Sequence, residues 1–303
     1  MNRGINRENK DRLFKFIFGN EKNRAWTLSL YNAINGSSYT DPDEIEFTTI
    51  ADVLYMGMKD DITFLITDIL NVYEQQSTFN PNMPMRYLIY LGMIYSKYAE
   101  NNKHQVNLYS SVLQKFPLPK LVCFYNGLTE MEERTELHLR DAFDTTSGDP
   151  DVDVRVTMIN INFGKNMELL DSCQALREYS WFVDRNRKNL QETEELESAV
   201  ELAIEQMSDT SLIKPFIMAN RAEVKRMCIT EYDEAQTMAM FKEEGRAEGR
   251  AEGRAEERIK LLFDFVNDGI IDIEEAAKRA KITKAEFLLK TKEFSGDAKQ
   301  SEE

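Results

Sequence analysis

Carboxylates are the residues of this chain best suited to chemistry. It has two histidines, His104 and His138, and three cysteines, Cys123, Cys173 and Cys228, in 303 residues. The histidines read as surface side chains. The cysteines lie far apart with no paired spacing and read as reduced, mostly buried thiols. A Ser/His/Asp triad, a thiolate zinc site and a disulfide framework are therefore disfavoured. What stands out instead is Glu74, Gln75 and Gln76, a carboxylate and two amides placed where the apolar run ILNVYEQQ should continue into a core.

Strand geometry suggests a use for them. If DITFLI (61–66) and ILNVYEQQ (69–76) form a hairpin centred on Thr67-Asp68, partners are residues whose numbers sum to 135, so Asp61 faces Glu74 and Lys59 faces Gln76. The face is then apolar at the turn, with Leu65 opposite Leu70 and Thr63 opposite Val72, and ionic at the open end. Opposed carboxylates have Cβ atoms roughly 5 Å apart and repel each other unless a cation lies between them. Two carboxylates with waters and a phosphate make the hard-oxygen octahedron that Mg²⁺ takes. The other reading is a solvated strand end, with Gln76 bonded to backbone. Thr-Asp is not a favoured type I′ pair, and a three- or five-residue loop would break the pairing.

The elements that must position this hairpin are legible in outline. Between Asn9 and Asn35, Leu13, Phe14, Ile17 and Phe18, then Leu28, Leu30, Tyr31 and Ile34, recur at helical spacing broken near Gly19, which predicts two short helices. EIEFTTIADVLYM, DITFLI and ILNVYEQQ predict three successive strands. A helix is expected from Pro84 through PMRYLIYLGMIYSKYAE, then strands at KLVCFYNG and DVDVRVTMININF. From Asn166 to about Thr237 the pattern is wholly helical. The expected class is an α/β core followed by a helical second half. The organisation reads as a core over 1–165, a helical extension packed on it over 166–240, a charged helix over 241–260, a small helical module over 261–294 and a disordered tail over 295–303.

Charge narrows the partners. A net charge of −15 argues against wrapping nucleic acid by bulk electrostatics, so any phosphate contact needs local cations. The N-terminal stretch offers Arg3, Arg7, Lys10, Arg12, Lys15, Lys22 and Arg24 against three acids, a basic entry or simply a solvated helix face. No stretch of eighteen or more apolar residues can span a bilayer, and MNRGINRENKDRLF lacks a signal-peptide core, so a cytoplasmic location without a membrane partner is expected.

KEEGRAEGRAEGRAEERI repeats Gly-Arg-Ala-Glu with a period of four. On a helix, Arg246, Arg250 and Arg254 form one stripe and Glu244, Glu248, Glu252 and Glu256 another about 200° away. Like charges stacked at this spacing repel, and each Gly costs roughly 1 kcal/mol relative to Ala. Pairing with a second copy through opposite stripes would relieve the repulsion, giving a homodimer through 241–260; a solvated charged spacer is the alternative. Beyond it, Asp272 with Glu275 and Thr283 with Glu286 read as capping boxes of two short helices, either a helix-turn-helix or a cap.

Several strings together carry a resemblance: DRLFKFIFG (11–19), YNAING (31–36), DITFL (61–65), EQQSTFNPNMPMR (74–86), YNG (125–127), NIN (160–162) and EYDE (231–234). Over about residues 8 to 237 the chain resembles the Rpn family of recombination-promoting nucleases, or transposases, of the PD-(D/E)XK superfamily. The resemblance implies a restriction-endonuclease-like αβββαβ core and a Mg²⁺- or Mn²⁺-dependent DNA endonuclease linked to recombination or transposition. Asp61 then matches the metal-binding Asp, Glu74 opens the D/E-x-K element, Gln76 replaces its Lys, and Asp11 matches a helical acid that supports the site or a second ion. Arg86 and Tyr90 match positions on the following helix, where they would contact phosphate or brace the strand. Lys59 would supply the charge that Gln76 lacks, and Arg12, Lys15 and Arg86 would receive the DNA backbone. A catalytically decayed domain acting in protein assembly or DNA binding is the alternative, and a helix-turn-helix regulator on an α/β scaffold is another.

Overall fold

In the computed structural model, which describes residues 12–47, 62–103, 106–144, 148–193 and 195–297, the hairpin forms in the expected register. Only the backbone is described for 233–245, 247–249, 251–252 and 293–297. Strand β2 (Ile62–Ile66) pairs antiparallel with β3 (Ile69–Gln76) through Ile62↔Tyr73, Thr63↔Val72 and Ile66↔Ile69. Two residues turn the chain, and Thr67 adopts φ +54°. A β-branched residue is poorly suited to that region, where crowding of Cβ costs of order 1 kcal/mol. Thr67→Gly is expected to raise stability by about 0.5–1 kcal/mol, read as a higher urea midpoint at unchanged slope.

The preceding elements are α1 (Leu13–Phe18), α2 (Arg24–Asn35) and β1 (Ile45–Phe47), which pairs antiparallel with β2. After β3 come α3 (Met83–Asn101) and β4 (Leu118–Tyr125), which lies parallel to β3. Pro84 takes a place in the first turn of α3, where its missing N–H costs nothing. Strand β6 (Arg155–Asn160) is parallel to β4, and β5 (Arg134–His138) closes the far edge antiparallel to β6. The result is a mixed six-stranded sheet in the order β1-β2-β3-β4-β6-β5. β5 lies outside the expected strands: RTELH is largely polar because an edge strand with no fully buried residue needs no apolar run.

Helices cover both faces, so β3 is buried almost throughout instead of alternating. On one face Phe14, Phe18, Tyr73, Phe124, Tyr179 and Phe182 pack together, drawing on α1 and α5 (Gln174–Thr193). On the other, Leu70, Val72, Cys123 and Tyr125 pack against Tyr87, Tyr90 and Ile94 of α3. The helical half continues through α4 (Met167–Ser172), α6 (Leu196–Gln206), α7 (Lys214–Ala219) and α8 (Arg221–Asn267).

The chain divides into two compact units, Met1–Ala235 and Gln236–Glu303. The repeat lies within α8, a single 47-residue helix, and Arg246, Arg250 and Arg254 are exposed on it. In the second unit Ile259 and Leu262 of α8, Ala276 and Ala277 of α9 (Ile273–Ala280) and Phe287 of α10 (Lys284–Asp297) make a small core. Thr283 and Glu286 form the reciprocal box, with Thr283 N donating to Glu286 Oε2 at 2.9 Å and Glu286 N donating to Thr283 Oγ1 at 3.2 Å. Among the described residues, no helix is long and apolar enough to cross a membrane.

Candidate functional site

The C-terminal end of β3 is a buried polar junction. Alternation sends Glu74 and Gln76 to the α3 face and Gln75 to the opposite one. All three are buried, Glu74 at 3% exposure, Gln75 at 1% and Gln76 at 8%. Buried polar groups need partners, and each finds them on a different element.

On the α3 face, Arg86 sits in the first turn of the helix and places Nη2 2.7 Å from Glu74 Oε1. Gln76 Nε2 donates to the same oxygen. Arg86 is braced in turn by Tyr90, whose hydroxyl accepts from Nε at 3.1 Å and Nη2 at 2.8 Å. The i, i+4 spacing of Arg86 and Tyr90 on one helix makes this contact possible. Glu74 Oε1 therefore has two donors, whereas Oε2, equally buried, has no hydrogen-bond partner among the described residues. A buried carboxylate oxygen without a donor is costly in isolation and is the type of group that a hard cation satisfies.

On the opposite face a second network fixes the same strand end. Gln75 Nε2 donates to Asn126 Oδ1 at 2.6 Å, and Asn126 Nδ2 donates to the Tyr179 hydroxyl at 3.1 Å. Asn126 N donates to Gln76 O at 3.1 Å, extending the parallel ladder by one rung. Arg187 of α5 donates to Asn126 O and, at 3.0 Å, to Asn162 Oδ1, while Asn162 Nδ2 donates to Gly127 O at 3.0 Å. Gly127 has no room for a Cβ, which would collide with Ser77 O and the Tyr125 ring. Burial pushes the Tyr179 phenol well above its ordinary value, with Glu231 adding to the shift. Burial also lowers Arg187, opposed by Tyr179 and Glu231.

The YNG and NIN segments of this network carry part of the resemblance, but Arg187 and Tyr179 have no local signal in the sequence, because their partners are more than twenty residues away. Arg187→Met would leave Asn126 O and Asn162 Oδ1 without their donor. It is expected to lower stability by about 2–4 kcal/mol, measured by urea unfolding, with Arg187→Lys intermediate because one ammonium cannot serve both acceptors in fork geometry.

The expected DNA-contacting residues fall differently. Arg12 Nη1 donates to Gln75 O at 2.8 Å, so this cation ties the start of α1 to the site strand. The Leu13 N–H at the N-terminus of α1 donates to Glu231 at 2.9 Å, so a carboxylate of the EYDE segment already occupies that helix end. Lys15 is half-buried on α1, and Arg86 is held by Glu74. Asp11, Lys59 and Asp61 lie outside the described residues, so the expected Asp61–Glu74 and Lys59–Gln76 pairs do as well. No group of three potential metal ligands occurs among the described residues.

A cavity of about 490 Å³ opens beside this strand end, lined by Phe79, Tyr125, Thr129, Met131, Glu133 and Lys165. Tyr125 is the β4 partner of Gln76, so the cavity neighbours the carboxylate junction. Comparison with protein families, curated proteins and solved structures finds no match for the chain.

Proposed function

We propose that this chain is a divalent-cation-dependent DNA endonuclease of the Rpn type, built on a PD-(D/E)XK-like core. The observation that carries the reading is Glu74: a carboxylate buried at a strand end, with one oxygen anchored by Arg86 and Gln76 and the other without a donor among the described residues. The order of elements supports it, since α2, β1, β2, β3, α3 and β4 run as helix, three antiparallel strands, helix and parallel strand.

Glu74 Oε2 is suited to a hard cation, and continuing the β2–β3 register by one pair would set Asp61 opposite it; these two residues would hold Mg²⁺ or Mn²⁺, with Asp11 as a supporting acid. The bound ion would supply charge for the phosphate oxygens and lower the pKa of a water. The remaining roles belong to the chain. Arg86 and Gln76 fix the Glu74 carboxylate through Oε1, so that Oε2 points one way without reorganisation. Gln76 donates hydrogen bonds but supplies no positive charge, leaving Lys59 as the cation proposed for the scissile phosphate. Recombination or transposition is the proposed setting, and the cytoplasm the proposed location.

The second reading, a decayed nuclease-like domain acting in assembly or DNA binding, is favoured by the Arg86–Glu74 ion pair. It already neutralises the carboxylate that a metal would need. Supercoiled-plasmid cleavage by purified protein in Mg²⁺ or Mn²⁺, against EDTA, separates the two. Metal-dependent nicking supports the nuclease; no nicking by folded protein, with no heat of metal binding in calorimetry, supports decay.

A further inference from the structure

The Gly-Arg-Ala-Glu repeat of α8 takes no part in the proposed chemistry. It lies within the second unit on continuous helix, and every side chain described between 246 and 258 is exposed. At roughly 3.6 residues per turn, each step of four advances about 40° beyond a full turn, so Gly, Arg, Ala and Glu form four stripes in that order around the axis. Glycine and alanine therefore stand on roughly opposite sides. Each is flanked by arginine on one side and glutamate on the other.

The two small-residue stripes lead to different places. Ala247, Ala251 and Ala255 continue at the same spacing to Ile259 and Phe263, which pack in the core of the helical module. Gly245, Gly249 and Gly253 continue past Glu257 to Leu261, which is 54% exposed. The alanine stripe thus runs into the module's own core and the glycine stripe runs away from it. A Cβ at Gly253 would meet nothing within 4 Å, so no contact among the described residues requires a glycine there. A helical glycine with room for a side chain weakens the helix without return from its own chain. Its use is the close approach of another backbone.

We propose that the glycine stripe is the contact between two copies of this chain, with their repeats paired in parallel. Charge complementarity identifies both the occupant and its direction. A stripe with arginines along one flank and glutamates along the other is self-complementary, which is what a two-fold interface between identical chains requires. In a parallel pair the left flank of one stripe meets the right flank of the other, as e and g positions do in a parallel coiled coil. Arg246, Arg250 and Arg254 then face the glutamates of the second copy, on both flanks at once. Antiparallel helices would bring like flanks together and set arginine against arginine. Rows of period four are inclined about 26° to the axis, so superposing two glycine stripes crosses the helices at about −50°, the commonest packing class. Helices crossing at that angle stay close for only a few turns. The three tetrads, about 18 Å long at roughly 1.5 Å per residue, suit that length.

The test is sedimentation velocity of the full chain over a dilution series, a readout independent of nuclease activity. The wild type should sediment at twice the chain mass, and the dimer should weaken as salt rises, because exposed ion pairs are screened. Arg246→Glu/Arg250→Glu/Arg254→Glu and Glu244→Arg/Glu248→Arg/Glu252→Arg should each weaken self-association at least tenfold. Mixing the two variants should restore dimers, because every acidic flank then meets a basic one. Gly249→Leu/Gly253→Leu should also lose the dimer while circular dichroism shows no less helix than the wild type, leucine being the stronger helix former. A wild type that stays monomeric throughout the series overturns the proposal. So does a dimer that survives all three sets of substitutions, or a mixture of the two charge variants that stays monomeric. A dimer that tightens as salt rises overturns the parallel direction.

Discussion

Arg86→Met is expected to destabilise the protein by about 3–5 kcal/mol, because it strands a carboxylate that the fold has taken out of water. Glu74 is 3% exposed whereas the Arg86 side chain is 32% exposed, so the carboxylate depends on the guanidinium more than the guanidinium depends on the carboxylate. Gln76 remains as a neutral donor to Oε1, which satisfies one lone pair but not the charge. A methionine keeps much of the arginine's apolar stem against α3, so the effect isolates the ion pair from simple truncation. For a unit of this size, 3 kcal/mol corresponds to a fall in melting temperature of roughly 6–12 °C. Glu74→Gln/Arg86→Met should recover most of the loss, since an apolar or neutral pair has no charge to leave unpaired. A single-variant loss below about 1 kcal/mol would show that water reaches the carboxylate and that the junction is open.

Glu74→Gln is expected to reduce metal-dependent plasmid nicking about a thousandfold, equivalent to roughly 4 kcal/mol of transition-state stabilisation. The substitution is isosteric, and its amide oxygen can still accept from Arg86 and Gln76, so the strand end should keep its shape. What it removes is the negative charge and the carboxylate oxygen Oε2, which has no hydrogen-bond partner among the described residues. Near-wild-type melting with nicking lost and weaker Mn²⁺ binding in calorimetry would assign the carboxylate to the metal. Wild-type nicking in Glu74→Gln would confine Glu74 to holding Arg86. The two variants thus separate the structural use of one carboxylate oxygen from the chemical use of the other.

Much of the frame was legible because it depends on local periodicity. The β2–β3 register followed from alternation on both sides of Thr67-Asp68, since a one-residue slip would turn Val72 and Leu70 away from the α3 core. The break near Gly19, the helical second half and the Thr283–Glu286 box were visible for the same reason: each rests on residues within one or two turns of each other. β5 was not, because a partly exposed edge strand with a single apolar residue, Leu137, has no apolar signature.

The site divides along the same line. That Glu74 and Gln76 share one face of β3 and Gln75 takes the other is already contained in the order of residues, because side-chain direction alternates along any strand. That this end is closed instead of solvated depends on long-range packing. Arg86 reaches Glu74 because α3 packs back over β3, Arg187 reaches Asn126 across sixty-one residues, and Glu231 caps α1 across more than two hundred. Those contacts join elements whose separation in the chain carries no periodic signal. Their physical cause is the need of a buried charge or amide for a partner, wherever in the sequence the fold can bring one.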